Sequence, residues 1–132
     1  MNDILFENIF EKLKDFLPEN WQKVIFRVCY FGESYNMKFY VDLGDKKYRD
    51  CFDTLIFGNV PLIGLFMDVN EIIAPIRNGL QDTEKWTVMT MSMDLHGNKK
   101  MEFECADIKE DFTSYEEKWK KRYLTKRGNE HG

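Results

Sequence analysis

Few residues of this sequence are of the types that catalyse reactions by nucleophilic attack. Such catalysis needs an activated Ser or Cys beside a base, and the chain has only two histidines. His96 lies in a predicted hairpin turn and His131 in the C-terminal tail, so neither is a good partner for a buried cysteine. Residues 32–34, Gly-Glu-Ser, lack the flanking glycine of a nucleophile elbow. We therefore predict no catalytic residue.

Metal and phosphate motifs are also missing from the sequence. It has no HExxH, no Cys/His quartet and no EF-hand loop. Residues 44–47, Gly-Asp-Lys-Lys, are typical of a β-turn because the upstream glycine of a phosphate loop is absent. Cys29, Cys51 and Cys105 are far apart without a CxxC pair, so we predict buried small hydrophobes in a reducing compartment. No metal and no cofactor is expected.

Carboxylates are the most plentiful groups that could do chemistry. Two acidic groups are predicted, one on the second hairpin and one after the first strands (Asp94, Glu102 and Glu104; Asp42, Asp50 and Asp53). Acid–base catalysis would require one of them in a pocket with a raised pKa, which sequence alone does not show. A solvated face is the favoured interpretation, and a small enzyme using scattered carboxylates and tyrosines is the alternative.

Composition and charge limit the function classes further. The chain has 132 residues, of which 43% are hydrophobic and 15% aromatic, enough for the core of one domain. Its net charge of −4 disfavours direct binding of nucleic acid, which needs concentrated Lys and Arg. No apolar run approaches the ~20 residues of a membrane helix, and Asp3, Glu7 and Glu11 are foreign to a signal peptide. We expect a cytoplasmic protein.

The first half of the chain has a helical period followed by a period of two. Leu5, Ile9, Leu13 and Phe16 recur at helical spacing, with an N-cap at Asp3 and a stop after residue 17. Residues 21–31, 37–43 and 48–51 then predict an antiparallel meander of three strands, with a turn at 32–34. In the first strand, one apolar face is predicted (Val24, Phe26, Val28 and Tyr30).

The middle of the chain is the least regular part. Residues 52–67 are rich in apolar side chains without a clean period. A helix over 69–80 is predicted to follow, with Ile72, Ile73 and Ile76 inward and Gly79 as C-cap. Pro75 should kink or split this helix, since proline removes a helical hydrogen bond.

A second hairpin and a closing helix complete the predicted fold. Alternation over 87–94 and 100–105 predicts two strands around a turn at 96–98. Ser114 and Glu117 form a predicted capping box, after which Tyr115, Trp119 and Tyr123 make an aromatic stripe against the sheet. We predict a single α+β domain over 1–124, with an antiparallel sheet of five or six strands and N-terminal, middle and C-terminal helices. A polar tail at 125–132 is expected to be mobile.

Three segments together resemble one known family. They are the N-terminal amphipathic helix that runs into residues 17–21 (Leu-Pro-Glu-Asn-Trp), the hairpin 94–99 (Asp-Leu-His-Gly-Asn-Lys) and the aromatic closing segment 115–124. Over residues 5 to 124 the chain resembles the YezG family of bacterial immunity proteins, or antitoxins. The closing segment is its most specific motif. The resemblance weakens between 52 and 80, where Pro61 and Pro75 interrupt what we expect to be a smoother helix in relatives.

This resemblance implies a function without catalysis. Proteins of this kind inhibit polymorphic toxins of contact-dependent or secreted systems, whose toxic C-terminal domain is commonly a nuclease. The immunity protein would stay in the producer's cytosol and block its cognate toxin domain. The alternatives are the small enzyme and a general protein-binding adaptor.

An acidic inhibitor fits the basic cleft that a nuclease needs for phosphates. We predict partner contacts on the outward sheet face and in an acidic run near the closing helix (Tyr40, Asp42, Glu102, Glu104, Asp107, Glu110 and Asp111).

Overall fold

The computed structural model describes residues 2–124 of the chain. Within these residues the elements are α1 (Asn2–Leu13), β1 (Lys23–Phe31), β2 (Ser34–Asp42), β3 (Tyr48–Asp50), α2 (Thr54–Phe57), α3 (Ile63–Asn78), β4 (Val88–Asp94), β5 (Lys99–Glu104) and α4 (Phe112–Tyr123). The predicted α+β class is confirmed. The tail predicted to be mobile, 125–132, lies outside the described residues. Between residues 2 and 124, no helix is long and apolar enough to cross a bilayer.

The five strands form one antiparallel sheet in the order β3-β2-β1-β4-β5. The central strand β1 places Val28 opposite Met37 of β2 on one side and Met89 of β4 on the other. Because side chains alternate along a strand, these three residues share one face with Phe26. All four are buried there, which confirms the face predicted from the period of two.

Helices α1 and α3 cover this first face of the sheet. The predicted stripe is confirmed for Leu5, Ile9 and Leu13, which are buried in the core, whereas Phe16 follows the end of α1 and is half-buried. Asp3 is not the N-cap as predicted, because α1 already includes Asn2 and Asp3 therefore lies within its first turn.

Helix α3 differs most from the sequence prediction. It begins at Ile63 instead of residue 69 and runs without a break through Pro75 to Asn78, so the predicted split does not occur. Its buried residues follow a spacing of four (Leu65, Val69, Ile73 and Arg77). That stripe leaves Ile76 on the outer side of the helix, 51% exposed, so its predicted inward position is wrong. Gly79 is the C-cap, as predicted.

Helix α4 covers the second face of the sheet. Its N-cap is Asp111, whose carboxylate accepts a hydrogen bond from the Ser114 amide at 3.0 Å. The predicted capping box that starts at Ser114 is therefore wrong, because the helix already begins at Phe112. The second hairpin is confirmed, with Gly97 at φ 85° in its turn. Of the cysteines predicted to be buried, Cys29 and Cys51 are, whereas Cys105 is exposed at the end of β5.

Candidate partner-binding surface

The aromatic stripe of α4 lies flat on the second face of the sheet, as predicted. Trp119 is buried beside Tyr40 of β2, with ring centroids 5.6 Å apart. Its indole nitrogen donates a hydrogen bond to the Thr90 hydroxyl of β4 at 3.0 Å. Tyr115 and Tyr123 pack on either side of it along the helix. This layer removes the centre of the second face from solvent.

A fully buried arginine ties α4 to the central strand. Nη2 of Arg27 donates to Glu116 at 2.9 Å and to Asn36 at 3.2 Å. The guanidinium carbon also lies 4.8 Å from the Trp119 ring centre and 5.5 Å from that of Phe112. Arg27 Nε and Nη1 have no protein acceptor among the described residues. The sequence did not predict that this residue holds the closing helix, because a single Arg in a strand of period two carries no signal of burial.

Two of the predicted contact residues are bound to α4 itself. Glu102 accepts a hydrogen bond from the Tyr123 hydroxyl and Glu104 accepts one from Tyr115. Arg122 lies 4.0 Å from Glu102 and 3.8 Å from Glu104. The hydrogen bond from Tyr123 lowers the pKa of Glu102. These carboxylates are half-buried and their charge is balanced from within the chain.

The predicted outward position of Tyr40 and Asp42 is wrong. Tyr40 is only 3% exposed because Trp119 covers it. Asp42 is also buried, and its carboxylate accepts hydrogen bonds from the amides of Gly44 at 2.8 Å and Lys46 at 3.1 Å. Asp42 thereby fixes the turn after β2. Neither side chain therefore presents an exposed surface to another protein.

The acidic run before α4 is solvent-exposed. Asp107, Glu110 and Asp111 all lie on the loop that joins β5 to α4. Asp111 is also the helix cap, so its carboxylate has a structural task. Asp107 accepts a weak hydrogen bond from the Lys109 amide at 3.4 Å. The structure therefore brings these three residues together, at one end of α4.

A second exposed surface was not predicted from the sequence. We call residues 52–67 the apolar segment; it comprises α2, the following loop and the first turn of α3. Five of its large apolar side chains are exposed (Phe52, Leu55, Val60, Ile63 and Met67). Leu55 is 93% exposed and Ile63 is 70% exposed. A group of exposed large apolar side chains in one part of the chain is a feature of interaction sites.

Part of the apolar segment borders a shallow cavity of about 280 Å³. Ile56, Phe57 and Val60 line one side of it, and residues 15–18 line the other. A larger cavity of about 640 Å³ lies between α1, the end of α3 and β5, where Ile4, Ile76 and Phe103 form apolar walls. Within the described residues no group of three or more His, Cys, Asp or Glu could hold a metal ion.

The comparison with protein families agrees with the resemblance stated above. The family model described as "Immunity protein YezG-like" matches residues 2–130. The chain belongs to the YezG-like immunity protein family. Membership places its function in toxin immunity and implies a toxin protein as partner. No curated protein matches the chain.

The segments that carry the resemblance frame the core of this YezG-like protein. Residues 17–21 join α1 to β1, and the hairpin turn at 94–99 joins β4 to β5. The closing segment is α4, which shields the second sheet face. The part where the resemblance weakens, 52–80, contains the apolar segment. The structural motifs and the most exposed apolar surface therefore lie in different parts of the chain.

Proposed function

We propose that this YezG-like protein binds the C-terminal domain of a cognate polymorphic or contact-dependent toxin, a nuclease, and neutralises it in the producer's cytoplasm. Binding, without any catalysis by the immunity protein, is sufficient for this role. The observation that carries the proposal is family membership over residues 2–130. The net charge of −4 supports a nuclease as the target.

The electrostatic argument follows from what a nuclease must bind. Its cleft attracts phosphates and is therefore rich in Lys and Arg. An acidic protein meets such a surface with complementary potential, which raises the association rate and disfavours wrong partners. The exposed carboxylates of Asp107, Glu110 and Asp111 stay our proposed polar contacts. Glu102 and Glu104 would contribute only from beside α4, because that helix holds them.

The small-enzyme alternative has less support from the carboxylates. A general acid needs a raised pKa in a poorly solvated pocket. The pKa of Glu102 is instead lowered by the hydrogen bond from Tyr123. The larger cavity has mostly apolar walls, with Glu84 as its one acidic residue among those lining it.

The proposal predicts a toxin gene directly upstream of the gene for this chain. The test is calorimetric binding to the C-terminal domain of that toxin, together with a nuclease assay of that domain. We expect 1:1 binding at nanomolar affinity, which ordinary interfaces of roughly 1,600 Å² support, and loss of nuclease activity at equimolar immunity protein. A folded, active toxin domain that does not bind would overturn the proposal. Binding to a toxin that is not a nuclease would overturn only the nuclease part.

A further inference from the structure

One long stretch of the chain contains acidic residues and no basic ones. Residues 50–76 contain four carboxylates (Asp50, Asp53, Asp68 and Glu71) and no Lys, Arg or His. The net charge of the whole chain is −4, so acidic and basic residues balance over the rest. This acidic stretch includes the whole apolar segment.

The carboxylates of this stretch differ in how far the protein neutralises them. Asp50 pairs with Lys38 at 2.7 Å, and Asp53 caps α2 through the Leu55 amide at 3.0 Å. Asp68 and Glu71 lie on the exposed side of α3, and their side chains have no ion pair or hydrogen bond within residues 2–124. Their charge is therefore available to an outside group.

Exposed apolar side chains stand next to these two free carboxylates. Ile63, Met67 and Glu71 follow one another at a spacing of four, which places them in one row on the surface of α3. Phe52 extends the surface toward the sheet, with its ring centre 6.4 Å from that of Phe66. The surface therefore has exposed apolar side chains with carboxylates at its edge. Protein-binding interfaces likewise have apolar anchor residues and a polar rim.

The acidic run before α4 lacks exposed large apolar side chains. Lys109 lies within the run, and the two large apolar side chains that neighbour it, Ile108 and Phe112, are buried or half-buried. Exposed carboxylates alone steer an encounter but contribute little to affinity. The two acidic surfaces thus differ in what they offer a partner.

We infer that the apolar segment, with Asp68 and Glu71 at its margin, is the main docking surface of this protein. The partner that it fits is a basic protein surface carrying exposed aliphatic or aromatic side chains. On the proposed function, on which this inference rests, that surface belongs to the nuclease toxin domain. The side chains that anchor the complex are Leu55, Ile63 and Met67.

Matched surface variants test the inference. Leu55→Ser with Ile63→Ser removes two exposed apolar side chains from the segment. Ile4→Ser with Ile76→Ser removes two from the rim of the larger cavity, where Ile4 is 70% exposed like Ile63. Exposed substitutions of this kind change stability little, and thermal unfolding checks that both variants fold. Binding of each to the upstream-encoded toxin domain is measured by calorimetry.

We expect the L55S/I63S variant to bind about a hundredfold more weakly and the I4S/I76S variant to bind within about threefold of wild type. A second pair, D68N/E71Q against D107N/E110Q, removes the same charge from each acidic surface. The first should weaken binding more than the second.

The results distinguish a failure of this inference from a failure of the proposed function. Wild-type binding with an unaffected L55S/I63S variant overturns the docking surface and leaves immunity intact. Absence of wild-type binding overturns both. If L55S/I63S instead abolishes self-association seen by sedimentation, with toxin affinity unchanged, the segment is a contact between two copies of this chain and the inference is wrong.

Discussion

Arg27 carries a full charge in the layer between the sheet and α4. A buried charge is tolerated only when neighbouring groups replace the water it has lost. Glu116 supplies the opposite charge, Asn36 supplies a second acceptor, and the rings of Phe112 and Trp119 lie over the guanidinium. Glu116 itself keeps part of its side chain in water. Arg27 therefore needs Glu116 as its counter-charge, whereas water can solvate Glu116 without Arg27.

This inequality gives a prediction at the residue scale. Glu116→Ala should lower the free energy of unfolding by about 3 kcal/mol, because it leaves Arg27 buried without its counter-charge. Arg27→Met should lower it less, since methionine fills the same space and Glu116 can turn to solvent. Urea unfolding of both variants measures the difference. A larger loss in Arg27→Met than in Glu116→Ala would show that the guanidinium contacts matter more than the charge balance.

At the scale of elements, the contact between α4 and the sheet contains tyrosine hydroxyls and a cysteine thiol that are neutral when folded, in addition to the Arg27 ion pair. Tyr123 donates to Glu102, and burial together with this hydrogen bond raises the pKa of Tyr123 to about 12. Burial and the hydrogen bond to Glu104 also raise the pKa of Tyr115. Beneath the helix, burial raises the pKa of Cys29 to about 11. Ionising any of these groups in place would set a negative charge in the interface or against a carboxylate.

The alkaline stability of the protein follows from these shifts. A raised folded-state pKa gives stability that is fully present below the unfolded value, 9.0 for Cys and 10.0 for Tyr, and lost as the pH rises toward the folded value. We therefore expect the unfolding temperature to fall steadily above about pH 9. Tyr123→Phe should make that fall shallower, whereas Leu95→Ser, a surface change without a titratable group, should not. Equal slopes for Tyr123→Phe and wild type would contradict the role of this hydrogen bond.

The sequence showed which residues of a strand share a face, but it did not show whether that face is covered by a helix or by water. The strand β1 was recognised because Phe26 and Val28 alternate with other side chains, and a period of two is visible whichever layer covers them. The position of Tyr40 was misjudged because a strand residue beneath a helix has the same sequence pattern as one in water. The stripe of Tyr115, Trp119 and Tyr123 was the available signal, since it had to cover the face opposite α1.

The apolar segment escaped prediction for a different reason. Sequence periodicity predicts a helix when apolar side chains lie on one of its faces. Here they lie on both the buried and the exposed face of α3, so no period is visible. Leu65 is buried in α3, whereas Ile63 and Met67 on its outer side are exposed. The extra apolar residues concealed the start of the helix. A place where sequence patterning fails in this way is expected at a functional surface.

At the scale of the whole molecule, the three layers leave little of the sheet for binding. Helices α1 and α3 cover one face and α4 covers the other. The exposed carboxylates that we propose as partner contacts therefore lie on the outer side of α3 and on the loop before α4. On this proposal both surfaces would attract a basic partner before contact, because opposite charges attract over about 10 Å at moderate salt.

The rate of complex formation with the toxin domain should depend strongly on salt for this reason. Between about 20 mM and 500 mM NaCl we expect the association rate constant to fall at least tenfold, since screening removes the attraction that guides the encounter. The dissociation rate should change less, because desolvated apolar contacts hold the formed complex. Stopped-flow measurements across the salt series test this. Asp68→Asn with Glu71→Gln should flatten the dependence, and Ile4→Ser should keep the wild-type slope. An association rate that does not change with salt would mean that charge complementarity has no part in toxin recognition.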